Sequence, residues 1–365
     1  MQEMTMRSKP DRALVKKPHR LLVLAVALFC GSCHAQSAAS EALRPIADSR
    51  VPGEMAFLAQ LRNQCGAVHP SQTERGGVRR LTGLSVWQAT EAAFVTLGKM
   101  PGIEDLEFAA TDLRTPAFGE IGKLTSLKRL RTLNCKFLPE QMRAIRNLKG
   151  LEDLELGFTI LEESGETRAK LLGDLTPEEG QRRDDLKRSG LGDHIIQTAL
   201  LMDRAMPYLT ELTRLKTLRL QNTFFTGKGL EQLKPLVDLE VAEIGRVDLT
   251  GKTALPLQGM TKLRSLRYFD ADDQIAAVVS ESGNLELLEL WSGGVTDVGA
   301  SHLLKLKRLQ RLEIRGNQMT DQGLKTLGQL PHLRYLDLSY VKQITASGIA
   351  QFRELRPDVE IKLSP

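Results

Sequence analysis

The side chains best suited to catalysis or metal binding are six histidines, four cysteines and two pairs of adjacent aspartates. No two histidines have the H-x-x-x-H spacing that would place two metal ligands on one helix face. No serine-hydrolase or phosphate-loop pattern occurs, and beyond residue 35 there is no C-x-x-C. Asp184-Asp185 and Asp272-Asp273 are typical of solvated turns. The sequence therefore predicts a non-enzyme with no catalytic residue, no metal site and no cofactor.

The positive charge of the chain is concentrated at its beginning. Residues 1–35 contain six Lys and Arg against two acids, which accounts for four of the five net charges. The rest of the chain is nearly neutral. We therefore find no electrostatic reason to expect nucleic-acid binding.

The same segment has the order of an export signal. The basic run Lys16–Arg20 precedes nine apolar residues, Leu21–Phe29, and small residues follow. Nine residues rise only about 14 Å as a helix, too little to cross roughly 30 Å of hydrocarbon. The pattern predicts a signal peptide over residues 1–35 and an exported protein.

Two cleavage modes are open for this signal. Cleavage after Ala35 would release a soluble protein to the periplasm or medium. Cys30-Gly31-Ser32-Cys33 instead resembles a bacterial lipobox, although Cys30 stands where leucine is usual. In that case Cys33 would carry lipid and anchor the protein at the outer membrane, which is the only membrane contact that we expect.

Beyond this segment the chain is organised by a repeat with the pattern L-x-x-L-x-L. Successive copies lie 22 or 24 residues apart, with one gap of 64, and the short apolar strand in each copy is followed by a turn and a second apolar stripe at helical spacing. The copies begin at Leu81, Ile103, Leu127, Leu151, Leu215, Leu239, Leu263, Leu285, Leu309 and Leu333.

This repeat resembles that of the leucine-rich-repeat family over roughly residues 78–365. The resemblance implies an α/β solenoid, a horseshoe with a parallel sheet on its concave side and short helices on its convex side. It also implies an inward-facing polar residue after each strand, a position held here by Asn317, Thr111 and Cys135. Cys135 is therefore expected to be structural, and whether it pairs with Cys65 is open.

The ends of the solenoid and its long gap have their own patterns. Residues 36–77 are expected to form a linker with a capping helix at 54–65, and alternating apolar residues at 359–363 predict a closing strand. Threonines such as Thr320 stand at helix N-cap positions. The extra residues at 162–198 are charge-dense and predict an insertion, which is either a binding arm or a tolerated surface excursion.

Strand alternation predicts which side chains face outward on the concave side. The position between the two inward residues holds charges that alternate in sign across six repeats, which predicts an exposed cross-strand ladder. The ladder runs through Glu107, Arg131, Glu155, Arg219, Glu243, Arg267, Glu289, Glu313 and Asp337.

The outward positions beside this ladder hold aromatic and arginine residues in the last four repeats. Such residues are enriched in the energetic centres of protein interfaces. The predicted protein-binding residues are Phe269, Leu287, Trp291, Arg311, Arg315, Tyr335 and Tyr340.

The sequence thus favours an exported, monomeric repeat protein that binds a protein partner on its concave face. Two alternatives are a structural envelope lipoprotein and a secreted bacterial factor that binds host proteins. The identity of the partner is not encoded in any of these patterns.

Overall fold

The computed structural model describes residues 56, 59–61, 67–72, 78–85, 91–136, 141–158, 175–188, 193–248 and 256–364. The expected signal peptide, the lipidation candidate Cys33 and most of the predicted linker lie outside these residues. Of the predicted capping helix, residues 56 and 59–61 are helical, and Leu61 is buried in the core.

The fold is built on one twelve-stranded sheet whose strand order follows the chain. Strands β2 to β12 are parallel neighbours, and β1 pairs antiparallel with β2. The strands are β1 Ala67–Gln72, β2 Val78–Ser85, β3 Asp105–Ala109, β4 Arg129–Cys135, β5 Asp153–Phe158, β6 Thr217–Thr226, β7 Val241–Asp248, β8 Ser265–Phe269, β9 Leu287–Trp291, β10 Arg311–Arg315, β11 Tyr335–Asp337 and β12 Glu360–Lys362.

Short helices connect successive strands, as the repeat predicts for an α/β solenoid. The α-helices are α1 Glu91–Leu97, α2 Met142–Ile145, α3 Pro177–Arg188, α4 Asp193–Ala205, α5 Gly227–Glu231, α6 Asp273–Val279, α7 Asp297–Leu303, α8 Asp321–Leu327 and α9 Ala346–Leu355. Pro116–Lys123, Met206–Tyr208 and Leu257–Gly259 form 3-10 helices at equivalent places. The closing strand expected at 359–363 is confirmed as β12.

The leucines of the repeat form one continuous core between the sheet and the helices. Leu285, Leu288 and Leu290 are completely buried, as are Leu309 and Leu312 in the next repeat. Strand residues 24 apart are direct neighbours, for example Leu312 beside Leu336. Each repeat therefore covers the apolar face of the one before it.

The prediction that the first copy of the repeat pattern begins at Leu81 was wrong by one apolar position. Leu81 pairs with Leu106 and Leu84 with Phe108, so Leu81 aligns with the second apolar position of the L-x-x-L-x-L pattern and not with the first. The register shifts between Leu81 and Leu84, and this irregularity absorbs the difference in length. The antiparallel strand β1, at the outer edge of this repeat, was not predicted.

The inward polar position after the strand satisfies turn backbone groups, as expected. The Asn317 side-chain oxygen accepts from Val295 N–H at 3.0 Å, and its amide donates to the carbonyls of Leu290 and Arg315. Cys135 is a free, buried thiol that donates to Leu133 O, and burial raises its pKa to about 11. A thiol so protonated is a structural group and a poor nucleophile.

Gly293 departs from this polar pattern for a steric reason. Glycine has no side chain that could bond the turn backbone as Asn317 does. A Cβ atom on Gly293 would lie 1.7 Å from the carbonyl oxygen of Ala271. That oxygen accepts from Gly294 N–H at 2.9 Å, so backbone groups hold this turn together.

A carboxylate on each of four helices binds the start of the next helix in the stack. Asp297, the first residue of α7, accepts from Thr320 N–H, from the Thr320 hydroxyl and from Gly323 N–H at 2.6 to 3.0 Å. Asp273 makes the same three contacts with Thr296 and Gly299. We call this arrangement the aspartate clasp.

The clasp recurs along the stack and explains two sequence features. Asp203 and Asp321 hold Thr226 and Thr345 in the same way. The glycine three residues after each threonine leaves room for the carboxylate, since a Cβ on Gly323 would lie 2.3 Å from Asp297 Oδ1. The threonines are also the N-caps that the sequence predicts, and Thr250 lies outside the described residues.

The insertion contains a helix that packs against the helical side of the solenoid. Asp203 of α4 clasps Thr226, so α4 is the regular helix of its repeat, and α3 is the additional element. Arg182 of α3 pairs with Asp203 at 2.9 Å, and Glu179 pairs with Arg204 at 2.8 Å. The hydrogen bond from Arg204 lowers the pKa of Glu179 to about 2. These contacts attach α3 to α4, so α3 lies away from the concave face.

We expect Asp297→Ala to lower the free energy of unfolding by about 2–3 kcal/mol, because three donors of the next helix lose a charged acceptor. The measurement is chemical denaturation followed by circular dichroism. Ala346→Asp is the matched control, because it places the same side chain at the same helix position in the last described repeat, where no clasp is made. Equal stability changes in the two variants would show that the clasp is energetically unimportant.

Candidate functional site

The concave side of the sheet is lined by three outward rows in register. The central row is the predicted ladder, in which Glu243 lies directly beside Arg267 and Arg267 beside Glu289. Arg267 reaches Glu243 at 3.1 Å and Glu289 at 2.6 Å, and Arg219 reaches Glu243 at 3.1 Å. The cross-strand ladder is therefore present.

The carboxylates of this ladder are buried, which corrects the expectation of exposed pairs. The side chains of Glu289, Glu313 and Asp337 are only 8%, 3% and 0% exposed. Burial raises the pKa of Glu289 and of Glu155. Long arginine side chains lie over the carboxylates and remove them from water, so the loss of one partner should cost more stability here than in a surface pair.

Three acids in succession interrupt the alternation at the C-terminal end of the ladder. Cations from the neighbouring rows compensate for them: Arg315 pairs with Glu313 at 2.5 Å and with Asp337 at 2.9 Å. Arg311 also binds Glu313 at 2.7 Å, and Lys362 approaches Asp337 at 3.6 Å. The two arginines that were singled out as binding residues thus also neutralise buried carboxylates.

The row on the carboxyl side of the ladder carries an aromatic cluster. Phe269 and Trp291 are neighbours in register, with ring centroids 5.2 Å apart in an edge-to-face arrangement. The guanidinium groups of Arg267 and Arg315 lie 4.8 and 4.7 Å from the Trp291 ring centroid. The indole is therefore held in one orientation by cation–π contacts on top of its packing.

The row on the amino side of the ladder contains the other predicted binding residues. Leu287, Arg311 and Tyr335 are direct neighbours on β9, β10 and β11, and all three are half-buried. The Arg311 guanidinium lies 3.8 Å from the Tyr335 ring centroid. Six of the seven residues, Phe269, Leu287, Trp291, Arg311, Arg315 and Tyr335, thus form one surface, which we call the concave patch.

Tyr340 lies just beyond β11 in an unusual backbone conformation. Its φ is +63°, in the left-handed region, and its side chain is 43% exposed. The same turn position in the other repeats holds small or short polar residues with positive φ: Ala110, Asn134, Asp270, Ser292 and Gly316. A tyrosine there is costly, by about 1–2 kcal/mol relative to glycine.

The opposite half of the concave side is dominated by ion pairs. Asp105 pairs with Arg129 at 3.0 Å, and Arg219 pairs with Asp153 at 3.2 Å. A shallow groove of about 380 Å³ lies at the amino ends of these strands, lined by Glu104, Lys128, Arg129, Glu152, Asp153, Lys216 and Thr217. These charges largely satisfy one another.

A second charge ladder, at the amino ends of the strands, was missed from the sequence. Lys128 pairs with Glu104 at 3.3 Å, Lys216 with Glu152 at 2.8 Å and Arg264 with Glu286 at 3.6 Å. The signal was present as alternating Glu and Lys or Arg one residue after the first apolar residue of the seven repeats that begin between Ile103 and Leu285. We overlooked it because that position lies outside the L-x-L core of the strand.

The comparison with families supports the repeat assignment directly. Residues 283–341, which span β9 to β11 and the aspartate clasp between Asp297 and Thr320, match the family described as "Leucine rich repeat". The chain therefore contains leucine-rich repeats. The same registered unit continues on both sides of the matched segment. No curated protein matches the chain.

Several solved leucine-rich-repeat structures resemble the chain at low identity. An internalin from Listeria monocytogenes is 16% identical, covering 84% of this chain and 93% of that one, with a TM-score of 0.37. A second internalin from that organism, internalin C2, is 15% identical (88% and 100% covered, TM-score 0.34). A leucine-rich-repeat protein from Leptospira interrogans is 13% identical (78% and 88% covered, TM-score 0.32).

Within the described part of the chain, no helix combines the length and apolar character needed to cross a membrane. Over the same residues, no cluster of three or more His, Cys, Asp or Glu side chains could hold a metal ion.

We expect Arg267→Met to destabilise the protein by about 3 kcal/mol near neutral pH, because it leaves Glu289 buried without its counter-ion. Glu243 keeps Arg219. Since the folded-state pKa of Glu289 is raised, protonation favours the folded state, and the penalty should grow as pH rises through that pKa and shrink as pH falls towards about 5. Urea denaturation at both pH values measures the effect.

The double variant Arg267→Met, Glu289→Met should regain most of the lost stability, because both members of the buried pair are then apolar. Lys262→Met, which removes one member of an exposed pair with Asp238, is the matched control and should cost little. A loss for Arg267→Met that is as small as the control and independent of pH would contradict a buried ladder.

Proposed function

We propose that this leucine-rich-repeat protein is an exported, non-enzymatic binding protein that holds a protein partner on the concave patch. The architecture is that of a protein-binding repeat protein. The observation that carries the proposal is the aromatic and arginine surface on β8 to β11, in which rings and guanidinium groups are fixed in position before any partner arrives. Fixed side chains lose little conformational entropy on binding.

The contrast between the two halves of the concave side supports this location. In the half on β3 to β6, acids and bases pair with one another, and a partner would have to break those contacts. In the patch, the arginines are already neutralised by buried carboxylates, and the partly exposed surface is made of Phe269, Trp291 and Tyr335. Such a surface suits a partner with apolar and aromatic anchors, and it lacks the uncompensated positive charge that nucleic acid requires.

Export is supported by the basic, apolar and small-residue order of residues 1–35. The second candidate function, a structural envelope lipoprotein, is favoured by the lipobox-like Cys30–Cys33. A secreted factor that binds host proteins would use the same patch and differs only in where its partner is found. The two tests below separate these possibilities.

We expect a photoreactive phenylalanine analogue placed at Tyr340 to crosslink a distinct protein in the exporting host. Tyr340 is exposed at the rim of the patch, so the probe should touch a bound partner without replacing a central side chain. Introducing Trp291→Ala into the same probe-bearing chain should remove the crosslink, because loss of an interface anchor typically costs 2 kcal/mol or more, about a thirtyfold change in affinity.

Val298 gives the matched probe position, because its side chain is 57% exposed on the helical side. The same proteins captured from Val298 and Tyr340 probes, with no effect of Trp291→Ala, would refute the concave patch. Thermal unfolding of the variant must be unchanged within a few degrees for the comparison to count.

The mass of the mature protein should show which exported form exists. A chain beginning at Gln36 is expected for a soluble binder, and its partners should be sought in the periplasm or medium. A diacylated Cys33 at the new amino terminus would support the envelope lipoprotein, and Cys33→Ala should then release the protein from the membrane fraction. An uncleaved chain would contradict export.

A further inference from the structure

Among the described residues, no strand pairs with the edge of β12 that faces away from β11. Glu360 N–H donates to Arg334 O, and Leu338 N–H donates to Lys362 O, so residues 360 and 362 direct these groups towards the neighbouring chain segment. Alternate residues of a strand point their backbone groups to opposite sides. The N–H and C=O of Ile361 therefore face away from β11, at the end of the described sheet.

The same end of the solenoid exposes apolar side chains. Leu355 at the end of α9 is 54% exposed, Leu363 is 48% exposed, and Ile361 is half-buried. Leu363 extends the inward row that contains Leu338 one strand earlier. Solenoids normally close with a polar outer face, and among the described residues this end has an apolar one.

The charges on β12 are arranged symmetrically about Ile361. Glu360 precedes it and Lys362 follows it, and both point to the concave side, beside Tyr335 and Asp337 of β11. If two copies of β12 align antiparallel with Ile361 opposite Ile361, each Glu360 lies opposite the Lys362 of the other copy. The Ile361 residues can then exchange both backbone hydrogen bonds across the two-fold axis.

We propose that the open edge of β12 pairs antiparallel with β12 of a second copy of this chain. The paired strands join two concave faces on one side of a continuous sheet, and Leu355 and Leu363 come under the cover of the other copy. A second copy fits better than an unrelated strand, because the opposite charges of Glu360 and Lys362 make the edge complementary to itself.

This dimer departs from the expectation of a monomer and is independent of the proposed binding role. The pairing strand is short and carries a lysine, both of which weaken edge-to-edge association. A contact of this size belongs with small, transient interfaces. Association should therefore be visible only at high protein concentration.

Sedimentation equilibrium of the purified protein from about 5 to about 500 µM is expected to show a reversible monomer–dimer equilibrium. Glu360→Lys should weaken the dimer about tenfold or more, because both cross-strand pairs become Lys opposite Lys. Lys362→Glu should do the same with Glu opposite Glu. Glu281→Lys, an equal charge change on an exposed residue near the helices, should leave the dimer unchanged.

Mixing the two single variants gives the decisive result. A mixed dimer of Glu360→Lys with Lys362→Glu again has a Lys–Glu pair at each position, so the equimolar mixture should associate about as well as the original protein. A protein that is monomeric throughout the concentration range, or single variants that associate normally, would overturn the proposal. So would a mixture that associates no better than either variant alone, provided that both variants unfold at the original temperature.

Discussion

A repeat of 22 to 24 residues cannot bury its own leucines, and every other feature of this fold depends on that constraint. The apolar row of each repeat becomes buried only when the next repeat lies on it in register, as Leu312 does beside Leu288 and Leu336. Leucine packing alone would tolerate small slips. The aspartate clasp removes this freedom, because Asp297 meets Thr320 and Gly323 at one separation only. Fixed register then brings the outward side chains of successive strands into straight rows.

Features that recur in every repeat were predictable from the sequence. Features that depend on contacts between neighbouring repeats were predictable only in part. The leucine spacing indicated the solenoid, the recurring threonines indicated the helix N-caps, and the alternation at 359–363 indicated the closing strand. The residues of the clasp also recur in the sequence, as the motif Thr-Asp-x-Gly at 296–299 and 320–323. The role of its aspartate was not predicted, since the partner of Asp297 lies 23 residues away. The first repeat was misplaced because a register shift between Leu81 and Leu84 breaks the period, and β1 lies outside the repeat altogether.

The candidate site shows the same division between side-chain direction and side-chain environment. Strand alternation placed five residues on one face, because alternate side chains of a strand point to opposite faces of the sheet. These are Phe269, Trp291, Arg311, Arg315 and Tyr335. The alternation could not show that Arg267 and Arg315 both lie on Trp291, or that Asp337 is fully buried against Arg315. Those facts depend on how long side chains fold over their neighbours in three dimensions. Their consequence is chemical: the arginines are neutralised from below, so the patch presents rings and not free positive charge.

Tyr340 bears on the choice between a binding protein and a purely structural one. Every other described repeat with positive φ at this turn uses alanine, asparagine, aspartate, serine or glycine, which tolerate the conformation at lower cost or fill little space. A scaffold selected only for stability would gain from glycine at position 340, because the exposed ring contributes little to the core and the backbone is strained. A strained, exposed aromatic residue beside an ordered aromatic patch is instead what contact with another molecule favours. The position thus supports the proposal of a partner on this side of the sheet.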